Sequence, residues 1–507
     1  MSVKIHSAEI VGIDGAIIDV EIDLSPGLHT FSIVGLADKA VDESRHRIAA
    51  AIKNFGARPP HKKNNRVTVS LAPADLKKEG PAFDLPIALA YLLVSEQAIF
   101  TPEGKLFLGE LALDGTLRPV KGTLSLAIAA QKYGYKELYV PYGNGMEAAL
   151  VNGITVYEAR HLKDIVYHLE GSSPLSPVPI TSTEKKSTEH HADFSYIKGQ
   201  EAAKRGLEIA AAGGHNIALS GPPGSGKTLL SRALPSILPP PEREEIMEIT
   251  QIHSIAGIYP PHEGIITERP FRSPHHTASH VALVGGGTTP RPGEITLAHR
   301  GILFLDEFPE FEKRVLEALR QPLEDGVISI SRARGSITFP ARIMLVAAMN
   351  PCPCGNTGSA KKECICPPHA IDRYARRISG PIMDRIDMWL TVDAVEHDKL
   401  SLSKNGEPSS TIRDRVEKAR IIQKDRLKKT PYITNSDIGA KHIQTLCVLS
   451  SKADATLQNA ASALELSARS YHRVIKIART IADLAGENII SENHILEAIQ
   501  YRPRKQE

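Results

Sequence analysis

The hydrophobic pattern of the chain changes its period several times, which predicts a mixture of strands and helices. Residues 1–24 alternate apolar and polar positions around turn signals at Asp14-Gly15 and Pro26-Gly27, a pattern typical of antiparallel strands. Residues 38–55 change to the helical period, and short strands then alternate with short helices as far as residue 169. We therefore expect a first α+β or α/β unit with its own core.

Two polar stretches divide the rest of the chain. Residues 171–192 and 401–410 are rich in Ser, Pro and charged residues, and we interpret both as linkers. Between them, continuous apolar runs alternate with helical stretches, which favours an α/β fold, and the pattern after them is helical. The predicted domains are 1–170, 193–400 and 411–507.

Composition excludes several classes of protein. The net charge of +3 over 507 residues is nearly neutral, so any surface for nucleic acid must be local. No apolar run approaches the roughly 20 residues that span a bilayer, and the N-terminal residues do not read as a signal peptide. Four of the five cysteines lie between Cys352 and Cys366, too clustered for a secreted disulfide framework. We therefore expect a cytoplasmic protein with no membrane partner.

The stretch from Gly221 to Thr228 fits the phosphate-binding pattern G-x-x-x-x-G-K-[ST]. It follows the apolar run 216–220 and precedes a helical pattern, so its context is strand, loop, helix. Glycines let backbone N–H groups turn toward a phosphate, and the following helix N-terminus adds partial positive charge. Lys227 is expected to reach the β- and γ-phosphates of ATP, and Thr228 to bind Mg²⁺. The alternative is a glycine-rich turn before an ordinary helix. The eight residues are Gly221, Pro222, Pro223, Gly224, Ser225, Gly226, Lys227 and Thr228.

A buried strand ending in two acids is predicted downstream. The apolar run 302–305 precedes Asp306 and Glu307, the Walker B pattern. Carboxylates at the end of such a strand are costly unless they meet a cation or water. Asp306 is therefore expected to support Mg²⁺ and Glu307 to act as the general base, with a helix N-cap as the alternative interpretation.

Residues 327–341 predict a β-hairpin with a basic tip. Two alternating segments flank Arg332-Ala333-Arg334-Gly335. Arg332 and Arg334 could contact the phosphates of a nucleic acid, or the tip could be an ordinary solvated turn.

Four cysteines form two close pairs. Their thiolates could close a tetrahedral Zn²⁺ site, and reduced thiols or a redox pair are the alternatives. His275, His276 and His280 could likewise bind a metal or serve ordinary hydrogen-bonding roles. The four cysteines are Cys352, Cys354, Cys364 and Cys366.

The first segment resembles the Lon-protease-type domain, of the ribosomal-protein-S5 domain 2 fold, that Mg-chelatase-like ATPases carry at their N-terminus. The stretch 79–84 is similar to the family's Gly-Pro-Ser turn, with Ala82 in the place of the nucleophilic serine. Leu124 occupies the place of the catalytic lysine. A Ser/Lys dyad needs a hydroxyl and an amine, so the resemblance implies a peptidase fold without peptidase chemistry. We interpret the domain as a binding or assembly platform, through which the chain would contact a protein partner.

Nearly the whole chain resembles the Mg-chelatase-like AAA+ family, specifically its ComM/YifB (competence-type) branch. The resemblance rests on the phosphate loop, the motif 292–299, the cysteine cluster and the helical end, and implies an AAA+ core with a helical lid. Asn350, which ends the apolar run 343–348, is similar to the sensor 1 residue that orients the attacking water. Arg385 resembles the arginine finger that reaches a neighbouring subunit's γ-phosphate, with ion pairing inside its own subunit as the alternative role. Arg469 is similar to the sensor 2 residue, with Arg473 left open.

This resemblance implies an ATP-driven, Mg²⁺-dependent homo-hexameric ring motor on DNA. Its expected activity is branch migration or helicase action in recombination or natural transformation, with Arg332 and Arg334 at the pore. Two alternatives remain: the ATPase subunit of a metal (Mg) chelatase, or an ATP-switched assembly or chaperone factor. An active protease is disfavoured by Ala82 and Leu124.

Overall fold

The computed structural model has a mixed α/β fold in two compact units. It describes residues 2–36, 38–62, 65–78, 80–182, 192–258, 265–287, 290–332, 335–357, 362–393 and 406–503. One unit comprises Met1–Lys185 with Glu242–Thr267, and the other comprises Lys186–Pro241 with Glu268–Glu507. The described residues 242–258 and 265–267, which the sequence-based boundaries assign to the central domain, therefore pack with the first unit.

A seven-stranded sheet forms the centre of the first unit. Alternating side chains of its strands, such as Ile5, Val20 and Ile22, are buried, as the period-two pattern predicts. In spatial order the strands are Thr30–Val34, Asn65–Ala72, Asp14–Pro26, Ser2–Val11, Lys105–Phe107, Glu137–Pro141 and Thr155–Ala159. Two further short strands, Glu110–Leu111 and Leu117–Arg118, pair with each other.

The first predicted turn is displaced by two residues. Val11 pairs with Asp14, so the turn consists of Gly12 and Ile13, and Asp14-Gly15 already belongs to the second strand. Gly12 supplies the turn because its φ of 69° lies in the left-handed region, which glycine adopts without strain. The second turn signal is confirmed, since the strand ends at Pro26.

Helices cover this sheet. The helix Lys39–Phe55 begins where the Asp38 carboxylate accepts the Val41 N–H at 2.9 Å. The predicted helix after residue 84 is confirmed as Asp84–Val94, which is almost wholly buried. The other helices of the unit are Thr123–Lys132, Gly145–Ala148, Leu162–Leu169 and Arg243–Ala256, with 3₁₀ turns at Pro60–Lys62 and Pro81–Phe83.

The helix Arg243–Ala256 packs against Thr123–Lys132 although it follows the phosphate loop in sequence. The Gly122 N–H donates to Ser254 Oγ at 2.9 Å, and Gln251 Nε2 donates to the Ile13 carbonyl at 2.6 Å. Its inner face is apolar and buried. The chain thus leaves the second unit after Pro241 and returns to it at Glu268. The buried apolar residues of this helix are Ile246, Ile249 and Ile252.

A five-stranded parallel sheet forms the centre of the second unit. Its strands are apolar on both faces because helices cover both. This confirms the predicted α/β fold and the strands before Asp306 and Asn350. In spatial order the strands are Phe271–Arg272, Ile302–Leu305, Met344–Met349, Ile217–Ser220 and Met388–Thr391.

The helices of this unit flank the sheet and continue beyond it. The first group is Glu201–Gly213, Lys227–Ala233, His280–Val284, Glu294–Leu297, Lys313–Ala318, Arg320–Asp325, Pro368–Ala375 and Gly380–Met383. The C-terminal group is Ser409–Leu427, Ile443–Leu446, Ser451–Ala463, Ala468–Ala485 and Glu492–Gln500. The 3₁₀ turns are Phe194–Tyr196, Leu234–Ile237, Phe308–Glu310, Asn435–Asp437 and Ala440–His442.

Two antiparallel hairpins complete the second unit. The predicted hairpin is confirmed: Val327–Arg332 pairs with Gly335–Pro340. The smaller hairpin joins Gly285–Gly286 to Arg291–Pro292. Within the described ranges, no helix is both long and apolar enough to cross a bilayer.

A buried carboxylate connects the C-terminal helices. Asp483 accepts hydrogen bonds from Arg426 Nη1 at 2.8 Å, Arg479 Nε at 3.1 Å and Asn435 Nδ2 at 2.8 Å. Its side chain is fully buried, and Arg479 is 1% exposed. The charges therefore compensate one another in a region of low dielectric, and they fix Ser409–Leu427 against Ala468–Ala485.

Replacing Asp483 with Ala should destabilise the second unit by about 3–5 kcal/mol, because the buried guanidinium of Arg479 and the partly buried one of Arg426 lose their counter-ion. Urea denaturation followed by circular dichroism would measure this change. The control is Asp425→Ala, which removes a surface ion pair with Lys428 and should leave the midpoint unchanged. Equal midpoints for Asp483→Ala and the parent would refute the structural importance of this network.

Candidate nucleotide-binding site

The phosphate-binding pattern joins a central strand to a helix. The loop runs from the end of Ile217–Ser220 to the start of Lys227–Ala233. Gly226 has a φ of 94°, which only glycine adopts readily, and nothing lies within 4 Å of the position that a Cβ would take. The local structure is therefore the predicted strand, loop and helix, with backbone open to a ligand at this glycine.

Lys227 lies against the loop itself. Its ammonium group donates to the carbonyl oxygens of Gly221 at 2.7 Å and Pro222 at 2.9 Å, and to Asn350 Oδ1 at 3.3 Å. Burial lowers the pKa of Lys227, and the negative charge of Asp306 opposes that shift. Lys227 and Asn350, both predicted site residues, are 123 residues apart in the sequence. The structure thus brings them into contact.

A hydroxyl and a carboxylate meet beside this lysine. Thr228 Oγ1 donates to Asp306 Oδ2 at 2.9 Å. Oxygen atoms of this kind are the ligands that Mg²⁺ prefers. Ser225, in the same loop, has a buried hydroxyl without a hydrogen-bond partner among the described residues. An orphaned donor, a buried cation and two oxygen ligands fit the phosphates of ATP with Mg²⁺.

Glu307 is held by its backbone and by a histidine. Its φ is 52°, and its N–H donates to Asp306 Oδ1 at 2.9 Å. His276 Nδ1 lies 3.0 Å from Glu307 Oε2. This contact arises because His276 follows the strand Phe271–Arg272, which is the sheet neighbour of the strand before Glu307. The side chain expected to act as the general base therefore has a defined partner.

Two of the three histidines, His275 and His276, have polar partners in the structure. His275 Nδ1 lies 2.9 Å from Thr277 Oγ1, and the His275 ring lies 4.2 Å from that of His276, centroid to centroid. Burial and the charge of Arg314 lower the pKa of His280. In the part of the chain that is described, the cysteine cluster is the one group of three or more ligands that could hold a metal ion.

Two arginines expected at the nucleotide both contact Glu324. Arg385 forms an ion pair with Glu324 and donates to the Pro381 carbonyl at 2.7 Å, and Arg469 Nη2 lies 3.8 Å from Glu324 Oε1. The hydrogen bond from Arg385 lowers the pKa of Glu324. Both arginines therefore pair within the chain here, at a helix end rather than at the phosphate loop.

Arg469 and Arg473 differ in their surroundings. The Arg473 side chain is 8% exposed, donates to the Asp384 carbonyl and lies 3.6 Å from Asp387 Oδ1. The Arg469 side chain is 47% exposed. Arg473 is thus packed as a structural residue, whereas Arg469 is accessible to a ligand.

The four clustered cysteines bring their sulfur atoms together. All four Sγ atoms lie within 4.8 Å of one another, and Cys352, Cys354 and Cys364 are separated by 3.4–3.6 Å. The Asn356 N–H is the main cause that lowers the pKa of Cys354 to about 6. The Cys354 N–H favours the Cys366 thiolate, but burial and the neighbouring thiols raise the pKa of Cys366 to about 12. The set cannot ionise fully without a cation.

Some predicted residues lie outside the described part of the chain. Neither Arg334 nor the side chain of Arg332 is described, although the strands on both sides pair in register. Glu79 in the Gly-Pro-Ser-like turn is also outside it. In the first unit, Leu124 is fully buried.

A parallel sheet with a phosphate loop and two acidic residues at one edge defines the class of P-loop ATPases. Three family models match the chain in succession: "Subunit ChlI of Mg-chelatase" over residues 20–144, "Magnesium chelatase, subunit ChlI" over 193–400, and "Magnesium chelatase, subunit ChlI C-terminal" over 406–502.

Relatives match over almost the whole length. The chain is 43% identical to competence protein ComM of Haemophilus influenzae, over 98% of this chain and 97% of that protein. It is also 43% identical to the uncharacterized protein YifB of Escherichia coli, over 98% and 96%. A weaker match, 25% identical, covers 41% of this chain and 25% of DNA replication licensing factor Mcm6 of Drosophila melanogaster. The chain therefore belongs to the ComM/YifB branch of the Mg-chelatase-like AAA+ family of ATPases, which implies ATP and Mg²⁺ as cofactors.

Sequence reasoning missed Glu324 and the partnership of His276 with Glu307. Glu324 carries no motif, and its contacts with Arg385 and Arg469 join residues 61 and 145 positions away. A signal for His276 did exist, because it lies a few residues after a strand that pairs with the Walker B strand.

His276→Ala should lower kcat for ATP hydrolysis roughly tenfold or more, because Glu307 loses the contact that orients it, while nucleotide affinity stays the same. Steady-state kinetics and binding of a fluorescent ATP analogue would measure the two quantities. His275→Ala is the matched control, since His275 pairs with Thr277 instead. An unchanged kcat in His276→Ala would exclude an orienting role.

Proposed function

We propose that this protein is an ATP-hydrolysing ring motor that acts on DNA, with branch-migration or helicase activity in recombination or natural transformation. The observation that carries the proposal is the meeting of Lys227, Thr228, Asp306 and Asn350 at one edge of the sheet. These four residues come from three adjacent parallel strands and the loops after them, so the arrangement is rigid.

Each residue has a defined task in hydrolysis. Lys227 is placed to exchange its carbonyl partners for the β- and γ-phosphates, and Thr228 and Asp306 would hold Mg²⁺, which would supply positive charge there. Glu307 accepts the proton of the attacking water, and Asn350 orients that water. Oriented groups of this kind accelerate phosphoryl transfer without covalent participation of the protein.

The proposed ring completes the site from a neighbouring subunit. Arg385 is the arginine finger, and in the ring it exchanges Glu324 for the neighbour's γ-phosphate. Arg469, in the proposed helical lid, leaves the same glutamate to contact nucleotide as sensor 2. A finger supplied in trans requires a closed head-to-tail ring, for which we propose six subunits.

The hairpin 327–340 is the proposed contact with DNA. Ile328, Ile330 and Phe339 are buried and anchor it, whereas its serines are exposed. A tip carrying Arg332 and Arg334 would contact phosphates of a strand in the ring pore without reading sequence. The name of the competence protein ComM, of which 97% is matched, favours a DNA substrate.

The first unit is proposed to be a Lon-like platform that binds a protein partner and has no peptidase chemistry. Neither Ala82 nor Leu124 offers a hydroxyl or an amine.

The second candidate function is the ATPase subunit of a Mg chelatase. It is favoured by the descriptions of the three family models. It requires the same hydrolytic site but no DNA, so the two functions differ in what stimulates hydrolysis. An ATP-switched assembly factor would likewise not remodel DNA.

Branched DNA should stimulate ATP hydrolysis by the parent protein, and the protein should convert that DNA to its migrated products only with ATP. The variant Arg332→Ala/Arg334→Ala should lose the stimulation while keeping its basal rate, because the phosphate contacts are removed away from the nucleotide. A gel assay of branched DNA and a coupled ATPase assay give both readouts. Lys53→Ala/Lys132→Ala, which removes two exposed charges from the first unit, is the charge-matched control. If the parent protein shows neither stimulation nor remodelling, the DNA motor is rejected, and the chelatase ATPase and the ATP-switched assembly factor remain.

Two inactive variants should restore each other in mixed rings. Glu307→Gln keeps its finger, and Arg385→Ala keeps its general base, so a site between them has both. A mixture in equal amounts should recover about a quarter of the parent's ATPase rate if subunits mix at random. Arg385→Ala mixed with the doubly substituted chain should recover nothing. If verified mixed rings stay inactive, Arg385 does not act in trans.

A further inference from the structure

The four-cysteine cluster lies directly beside the phosphate loop. Asn350 is followed by the turn Cys352–Gly355, and the Gly355 N–H donates to the Cys352 carbonyl at 2.9 Å. A Cβ on Gly355 would lie 2.5 Å from Pro223 Cδ and 3.7 Å from Asn350 Cγ. The backbone of the cysteine turn is therefore packed against both the loop and the asparagine that contacts Lys227.

This contact depends on the conformation of the turn. Gly355 has a φ of 81°, and no other residue type would fit both that angle and the closeness of Pro223. Cys352 and Cys354 lie within three residues of Gly355, so the position of their sulfur atoms sets the position of its backbone. Whatever fixes the sulfurs also fixes one wall of the phosphate loop.

The sulfur atoms are arranged as ligands of one metal ion. A tetrahedron with Zn–S distances of about 2.3 Å has sulfur–sulfur edges of roughly 3.8 Å, close to the 3.4–3.6 Å between Cys352, Cys354 and Cys364. Backbone N–H groups support the sulfurs: that of Cys354 donates to Cys366 Sγ and that of Thr357 to Cys352 Sγ, both at 3.4 Å. Such donors stabilise thiolates and orient metal ligands.

We propose that Cys352, Cys354, Cys364 and Cys366 bind one Zn²⁺, and that this ion holds Gly355 against Pro223 so that nucleotide affinity depends on the metal. Without the ion, no bond holds the four sulfur atoms at this spacing, and the turn is free to open. Pro223 and Asn350 then lose their shared neighbour, and the Asn350–Lys227 contact is no longer supported. The dependence of nucleotide affinity on the metal rests on the proposed nucleotide site. The metal site itself does not.

The metal is tested on the full chain purified under anaerobic, reducing conditions. Elemental analysis should find one Zn²⁺ per chain, and Cys354→Ser/Cys364→Ser should contain less than a tenth of that amount. The same variant should bind a fluorescent ATP analogue about tenfold or more weakly than the parent. Parent protein that binds the analogue but contains no stoichiometric metal would overturn the zinc site. Parent protein that binds no analogue would overturn the proposed nucleotide site instead.

The coupling is tested without touching a metal ligand. Gly355→Ala places a methyl group against Pro223, so it should keep its Zn²⁺ and lose affinity for the analogue about tenfold. Gly486→Ala is the matched control: its φ of 73° imposes the same backbone strain, but nothing lies within 4 Å of the added methyl group. It should keep both metal and affinity. Gly355→Ala with its full Zn²⁺ content and the affinity of the parent would overturn the coupling.

Discussion

The hydrogen bond between Thr228 and Asp306 is the contact on which the second unit depends for its chemistry. It joins the start of a helix to the end of a strand two places away in the sheet, and the strand between them ends at Asn350. Parallel strands make this possible because their carboxyl ends lie at one edge, where their polar residues converge. The continuous apolar runs that build this sheet and the polar residues that follow them are thus parts of one arrangement. Lys227, Asn350 and Glu307 occupy their positions as a consequence.

Much of the fold around this site could be predicted from the sequence, because the patterns that indicate it are local in the chain. The strand before Asp306 and the hairpin 327–340 follow from apolar periodicity and turn signals. The exact position of the first turn could not be predicted, because both Gly12 and Gly15 can adopt a left-handed backbone conformation. Only the register of the two strands decides between them. The packing of Arg243–Ala256 with the first unit could not be predicted either, because an amphipathic helix does not specify which surface covers it.

Electrostatic pairing explains why the arginines lie apart from the phosphate loop. A guanidinium group at a surface lowers its energy by taking the nearest carboxylate, and Glu324 offers one to both Arg385 and Arg469. The pairing is weak because the Glu324 side chain is 52% exposed, so a phosphate of higher charge can replace it. Exposed ion pairs of this kind exchange readily for other partners. Buried ion pairs such as that between Asp483 and Arg479 cannot exchange partners in this way.

The position of Arg243–Ala256 has a consequence for the modularity of the chain. Because this helix belongs to the first unit but is encoded within the second, the two units are interleaved in the gene. No single cut in the polypeptide separates them: a chain divided between residues 171 and 192 leaves an N-terminal fragment whose core lacks Ile246, Ile249 and Ile252. Such a fragment would expose the apolar surface of Thr123–Lys132. The first unit is thus discontinuous in sequence, and its core is complete only in a polypeptide that includes Arg243–Ala256.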